Sequence, residues 1–194
     1  TYFLIIMFLI GLICLYQLNI YTWFVAVSAI PLVILYPLAK RFTKWPQIIL
    51  GLTFSWAVPT AWSSANEEWN LGIFIMYLAT VFWIIGYDTI YGCQDKNEDE
   101  IFGIKNSAVS AKNFLTLFVG CSYSLMFCLL IISGYLLNNN IFWYIGVSIC
   151  GLHLTNQVIK LKNIEQNNPL QIFKSNVVLG LLLTLSSLGN HINY

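Results

Sequence analysis

From Gly86 to Asp99 the chain reads Gly-Tyr-Asp-Thr-Ile-Tyr-Gly-Cys-Gln-Asp-Lys-Asn-Glu-Asp, with a core spacing of D-x2-Y-x3-D-x3-D. On a helix, offsets of 0, 3, 7 and 11 fall within an arc of about 80°. The spacing therefore predicts that Asp88, Tyr91, Asp95 and Asp99 share one face. Carboxylates that crowded repel one another unless a cation sits among them. Donors that are all oxygen suit Mg2+, which takes one or two carboxylates and fills its shell with water and substrate phosphate. Asp88, Asp95 and Asp99 are thus the candidate metal ligands, and the implied substrate is a phosphorylated anion. Just downstream, Gly103-Ile104-Lys105 offers a glycine that lets backbone approach closely and a lysine point charge suited to phosphate. A solvated acidic loop would have the same composition. Asp88 argues against that reading, because it follows the apolar run Trp83-Ile84-Ile85-Gly86-Tyr87. It should sit at or just inside a membrane interface, where an ionisable group is costly and marks function.

A second polar block runs from Tyr36-Pro37 through Lys40-Arg41 to Pro46-Gln47. Lys40 and Arg41 are candidate substrate contacts, and Arg41 carries a planar fork able to grip a carboxylate through two hydrogen bonds. Cations at a helix end also serve simply as topological anchors. His153, Asn156 and Gln157 share a helix face at i, i+3 and i+4, a pattern that predicts an interhelical hydrogen-bond patch rather than a catalytic histidine. Four of the five cysteines lie in apolar runs, no CxxC or Cys/His metal spacing occurs, and such cysteines behave as small hydrophobes.

These residues must be held by elements that belong in a bilayer. Of 194 residues, 58% are hydrophobic and 9% charged, too little polar surface to wrap a soluble globule. A net charge of +1 argues against general affinity for nucleic acid, which needs Lys and Arg gathered in surplus; the expected partners are lipid and small molecules. Runs of about 20 apolar residues span the hydrocarbon core, and candidates fall at roughly 2-17, 20-38, 47-64, 69-91, 114-137, 141-159 and 172-189. The expected fold is all-α, a multi-spanning transmembrane bundle of about seven helices forming a single domain over residues 1-194.

Three connections are tiny: Leu18-Asn19, Ala65-Asn66-Glu67-Glu68 and Asn138-Asn139-Asn140. Three are longer: 39-46, 92-113 and 160-171. All nine cations (Lys40, Arg41, Lys44, Lys96, Lys105, Lys112, Lys160, Lys162, Lys174) fall in or beside the longer loops. So do six of the eight acids, Glu165 included. By the positive-inside rule those loops are cytoplasmic, or matrix-side in a mitochondrion. Most tryptophans sit near span ends, as interface belts do. The chain opens on Thr1 within an apolar stretch and without a basic n-region, so it does not begin with a signal peptide and reads as starting inside a span.

Tyr87 to Tyr91, Gln94 to Lys96, Asp99 and Gly103-Ile104-Lys105 resemble the second Asp-rich motif of the UbiA prenyltransferase superfamily, in the version found in 4-hydroxybenzoate polyprenyltransferases. The Tyr36-Pro37 to Pro46-Gln47 block resembles the same group's short loop, and Phe173-Lys174-Ser175-Asn176 also fits. The likeness covers nearly the whole chain. It departs from the motif where Gly92 replaces a usual Ala, Asn97-Glu98 a more acidic pair, and Asn106 a common Ser.

The resemblance implies a nine-helix bundle, of which this chain supplies helix 3 onward and lacks the first motif, and hence half of the diphosphate site. It implies a Mg2+-dependent enzyme moving a polyprenyl group from an allylic diphosphate to the ring of 4-hydroxybenzoate, in ubiquinone biosynthesis. The setting is a bacterial inner membrane, or a mitochondrial one in a eukaryote. In that reading Asp88, Asp95 and Asp99 bind metal, Tyr91 faces the allylic cation, Lys105 and Lys40 meet the substrates, Arg41 takes the benzoate carboxylate, and the chain alone is inactive. Other readings are a related prenyltransferase with another acceptor, or a non-enzymatic transporter, which would place its ionisable groups at mid-span. A CDP-alcohol phosphotransferase is disfavoured, because the DG and AR it needs ahead of its aspartates are missing.

Overall fold

The computed structural model describes residues 2–65, 68–164 and 167–189; Asn66, Glu67 and Glu165 of the expected connections lie outside them. The described chain is helical throughout, with no strand among those residues. The helices are α1 (Tyr2–Tyr16), α2 (Ile20–Val27), α3 (Ile30–Phe42), α4 (Pro46–Ser55), α5 (Ala57–Ala65), α6 (Leu71–Tyr91), α7 (Lys96–Phe102), α8 (Ser107–Ser110), α9 (Leu115–Leu136), α10 (Ile141–Lys162), α11 (Pro169–Lys174) and α12 (Asn176–Gly189).

Each of the seven apolar segments is helical, but three are broken. Pro31 has no N–H for the Val27 carbonyl, and α2 stops short of α3. Pro59 likewise has no N–H for the Ser55 carbonyl, and α4 gives way to α5 at Trp56. The two breaks meet: the Val25 carbonyl accepts from Trp56 Nε1 at 2.8 Å and from Ser28 Oγ at 2.6 Å. A freed backbone carbonyl cannot stay bare in lipid. The third break, at Ser175 between α11 and α12, has no proline behind it.

Four helical stretches are long and apolar enough to cross a membrane: Ile20–Phe42, Leu71–Tyr91, Leu115–Leu136 and Pro169–Gly189. The protein is an integral membrane helix bundle. Helix α10 is as long as α9 but carries His153, Asn156, Gln157, Lys160 and Lys162 in its second half, which lowers its hydropathy. Asparagines start the helices after the short connections. Asn19, Asn70 and Asn140 accept from the backbone of Thr22, Gly72 and Phe142, satisfying donors that a helix start leaves open.

At the centre, α6 packs against α4 on one side and α9 on the other, and α10 joins α9 to α12. The larger core gathers Val119, Tyr123, Met126 and Leu130 of α9 around Val147, Cys150 and Leu154 of α10 and Leu179 of α12. This packing brings the longer connections to one end. There Lys105 reaches the Arg41 carbonyl, Ser110 the Lys44 carbonyl, and Phe173 the rings of Tyr87 and Tyr91.

Candidate active-site pocket

Helix α6 ends at Tyr91 and does not continue through the acidic segment. Gly92, a poor helix former, is its C-cap. The Gly92 carbonyl is taken by Asn106 Nδ2 at 3.1 Å rather than by a further helical turn. The chain then turns through Cys93, Gln94 and Asp95 and restarts as α7 at Lys96. The single helical face expected from the spacing is therefore replaced by two helix ends and a turn. Asp88, Tyr91, Asp95 and Asp99 nevertheless line one cavity, of about 70 Å3. Chain reversal brings them together.

Other elements complete the cavity. Tyr36 and Lys40 come from α3, and Gln47 from the first turn of α4. Lys40 is the cation that faces Asp88. Asp99 is buried, and its Oδ2 accepts from Asn106 Nδ2 at 2.8 Å. Asn106 Oδ1 in turn accepts from Gln47 Nε2 at 3.1 Å and from the Ala108 amide at 3.0 Å. Gln47 Oε1 accepts from the Ser107 amide at 3.0 Å and from the Ser107 hydroxyl. A chain of buried carboxamides thus runs from α4 to Asp99. Composition did not single out Gln47 or Asn106 as functional. The available signals were a glutamine just inside an apolar helix and an asparagine where the resembled motif has serine.

The other expected residues lie outside the cavity lining. Lys105 is tethered by Nζ to the Arg41 carbonyl at 3.1 Å. The Arg41 side chain is exposed. Gly103 has a use beyond the one its sequence suggests. Its φ of +66° ends α7 in the left-handed conformation, and a Cβ there would meet nothing within 4 Å, so it serves as a helix cap and no protein group packs against it. Behind the turn, burial raises the Cys93 thiol to about 11 against the opposing pull of Lys96. On the outer face of α7, the Lys112 ammonium holds the Glu100 carboxyl below its ordinary value through a 2.9 Å contact.

The donors suit a hard cation, since the carboxylates of Asp88, Asp95 and Asp99 border the space. Among the described residues no three His, Cys, Asp or Glu side chains stand close enough to hold a metal by themselves. The fit is to an ion that draws further ligands from water or phosphate, as Mg2+ does. A cavity of about 70 Å3 has room for an ion and a water or two, at roughly 30 Å3 per water. Leading up to it, Trp83, Tyr87, Phe173 and Tyr91 form a column of rings with successive centroids 5.7, 5.6 and 4.9 Å apart.

Of the His153, Asn156 and Gln157 face, His153 and Gln157 form the expected interhelical patch, whereas Asn156 is exposed and stays outside its hydrogen bonds. Tyr123 OH donates to Gln157 Oε1 at 2.7 Å, Gln157 Nε2 donates to Ser175 Oγ at 2.9 Å, and His153 Nε2 lies 3.1 Å from Ser175 Oγ.

Residues 1–184 match the UbiA prenyltransferase family. The chain belongs to that family. Among curated relatives of this UbiA member, a 4-hydroxybenzoate octaprenyltransferase of Francisella tularensis subsp. novicida is 36% identical over 184 residues, covering 95% of this chain and 65% of that protein. A mitochondrial 4-hydroxybenzoate polyprenyltransferase of Dictyostelium discoideum is 38% identical over 177 residues, 87% of this chain and 37% of that one. The chain spans less than two thirds of the length of these relatives. No solved structure matches it.

Proposed function

We propose that this chain carries one of the diphosphate-binding sites of a membrane prenyltransferase that moves a polyprenyl group from an allylic diphosphate to the ring of 4-hydroxybenzoate, in ubiquinone biosynthesis. The observation that carries the reading is the convergence of Asp88, Asp95 and Asp99 with Lys40 on one cavity at the basic end of the bundle. The names of the relatives at 36% and 38% identity support the choice of substrates.

Asp88, Asp95 and Asp99 would supply carboxylates to Mg2+, one or two to an ion, with water and substrate phosphate filling its shell; when bound it would neutralise charge on the diphosphate and assist its departure. In the reaction the allylic C–O bond breaks with its electron pair leaving on the diphosphate. The ring carbon ortho to the phenol hydroxyl supplies electrons for the new C–C bond, and that carbon then loses its proton. Tyr91 and the ring column behind it present π faces that stabilise the cation without capturing it. Lys40 balances Asp88 until the anion arrives. Lys105 adds charge at the leaving group if its ammonium exchanges the Arg41 carbonyl for phosphate oxygen. Arg41, facing solvent beside that tether, is the group suited to the acceptor's carboxylate. The surrounding apolar helices exclude water from the cation and accept the isoprenoid tail. The acidic end lies on the cytoplasmic or matrix face of an inner membrane, where cations accumulate in loops.

The test is product formation in proteoliposomes supplied with polyprenyl diphosphate, 4-hydroxybenzoate and Mg2+. It uses the 194-residue chain and the same chain joined behind the N-terminal third of the Francisella relative. A prenylated 4-hydroxybenzoate from the joined chain, dependent on all three additions, is expected. No product from it would sink the reading, and product with other phenolic acids alone would favour a relative with a different acceptor.

A further inference from the structure

Gly92 and Asn106 touch in a way that fixes both. A Cβ added at Gly92 would lie 2.6 Å from Asn106 Oδ1 and 2.7 Å from its Nδ2, inside van der Waals contact. The asparagine has nowhere to retreat. It is 5% exposed, and both ends of its carboxamide are engaged, Oδ1 by Gln47 and the Ala108 amide, Nδ2 by the Gly92 carbonyl and Asp99 Oδ2. One side chain therefore ends α6, starts α8 and holds a carboxylate of the pocket, and it can do so only because position 92 has no side chain.

We propose that Asn106, oriented by Gln47, is the positioning residue that sets Asp99 in the pocket, and that Gly92 is its required spatial complement. The hydrogen-bond geometry supplies the reason. With Oδ1 committed to two donors, the amide cannot flip without facing them with N–H groups, so Nδ2 is held toward Asp99. Gln47 is locked in the same sense, because its Oε1 takes two donors from Ser107 and leaves Nε2 to serve Asn106 and the Asp88 carboxylate. One lone pair of Asp99 Oδ2 is thereby held by protein, which fixes the direction in which the carboxylate can offer its remaining lone pairs. Outer-shell partners that orient a carboxylate typically change metal affinity 10–100-fold when removed. What Asp99 is positioned for rests on the proposed function; the packing of Gly92 against Asn106 does not.

The experiment takes the 194-residue chain in detergent micelles and follows two readouts, melting temperature and Mn2+ affinity by electron paramagnetic resonance, with Mn2+ as the probe for the site. Gly92→Ala should lower the melting temperature by about 4 °C or more. Gly92→Ala with Asn106→Ser should melt above Gly92→Ala alone, because serine vacates the space. Asn106→Asp keeps the size but turns Nδ2 into an oxygen facing Asp99, so it should weaken Mn2+ binding about tenfold while leaving Gly92 unclashed. Gln47→Ala should weaken it in the same direction. In an Asp99→Asn background, Asn106→Ser should bring no further loss of affinity.

Additive melting losses for Gly92→Ala and Asn106→Ser would overturn the size complementarity. Wild-type Mn2+ affinity in both Asn106→Asp and Gln47→Ala would overturn the positioning role while leaving the metal reading intact. A wild-type chain that binds no Mn2+ would overturn the metal reading and the role given to Asn106 with it, and the melting cycle would then decide the packing alone.

Discussion

Two polar clusters sit at the same end of this bundle and are built from similar side chains, yet they are satisfied differently. In the patch on α9, α10 and α11, Tyr123, Gln157, His153 and Ser175 bond to one another and carry no carboxylate. In the pocket below α6, carboxamides bond to one another in the same manner, but the chain of bonds ends on Asp99, and Asp88 and Asp95 face the same cavity. A network of polar side chains that bond to one another across helices in a membrane protein is a way of joining them. A network that terminates in carboxylates around a space leaves oxygen atoms to offer a ligand, as the proposed function requires. The difference separates structure from function more sharply than polarity does.

The strongest way to break that distinction is to neutralise each cluster and assay prenyl transfer in the joined protein. Asp88→Asn and Asp95→Asn should each lower turnover about a thousandfold, or about 4 kcal/mol of barrier, with little change in melting temperature. Turnover within threefold of wild type would reduce the carboxylates to a solvated acidic loop.

A smaller effect should appear behind the pocket. With the Cys93 thiol pushed up to about 11 from an ordinary 9.0, it holds about a hundredfold less thiolate at pH 8 than a free cysteine. The greater nucleophilicity of a high-pKa thiolate returns about tenfold of this. Maleimide labelling should therefore run about tenfold slower than for a free cysteine, and accelerate with pH up to about 11. Fast labelling at neutral pH would mean that the turn from Gly92 to Asp95 opens readily and does not hold its carboxylates in place.

On the patch, Gln157→Ala leaves the buried Tyr123 hydroxyl without its acceptor, a loss of about 1–3 kcal/mol, seen as a drop of several degrees in melting temperature. Turnover per folded molecule should stay within about twofold. A selective loss of turnover with unchanged melting would place the patch in the active site and erase the contrast.

How much of this was legible beforehand differs between the clusters for physical reasons. The patch was readable because His153, Asn156 and Gln157 lie on one uninterrupted helix, where spacing converts directly to direction. The helical segments, and the short connections as the gaps between them, were readable from apolar run length. The residues of the pocket were readable as types but not as geometry. Spacing placed Asp88, Tyr91, Asp95 and Asp99 on a continuous helix, whereas α6 stops at Tyr91, and the cause of that stop lies at Asn106, fourteen residues on, which takes the Gly92 carbonyl. No local pattern encodes such a contact. The two departures noted at Gly92 and Asn106 looked independent in sequence and prove to be neighbours in space. The roles expected for Gly103 and Arg41 drew on chemistry alone. The structure adds that Gly103 caps α7 and that Arg41 is exposed beside the lysine that holds its carbonyl.

The weakest contrast lies on the outside of α7, where Glu100 and Lys112 make an ion pair with side chains 48% and 55% exposed. Acid is abundant in this segment, and composition alone would count Glu100 with the aspartates. Its geometry sets it apart, because it points to solvent and is already paired with a lysine. The sign of its pH dependence follows from the direction of its shift. The Lys112 hydrogen bond and charge lower the carboxyl's pKa in the folded protein. Any stabilisation is thus complete above the ordinary value of 4.5 and disappears as pH falls through the lower folded value. Exposed pairs of this kind contribute little because water screens them and two long side chains must be held still. Glu100→Gln should therefore leave turnover, Mn2+ affinity and melting temperature at pH 7 unchanged within error, and high salt should not separate it from wild type. A loss of Mn2+ affinity comparable to that of Asp95→Asn would show that the carboxylates act as a diffuse acidic field rather than through their places in the cavity.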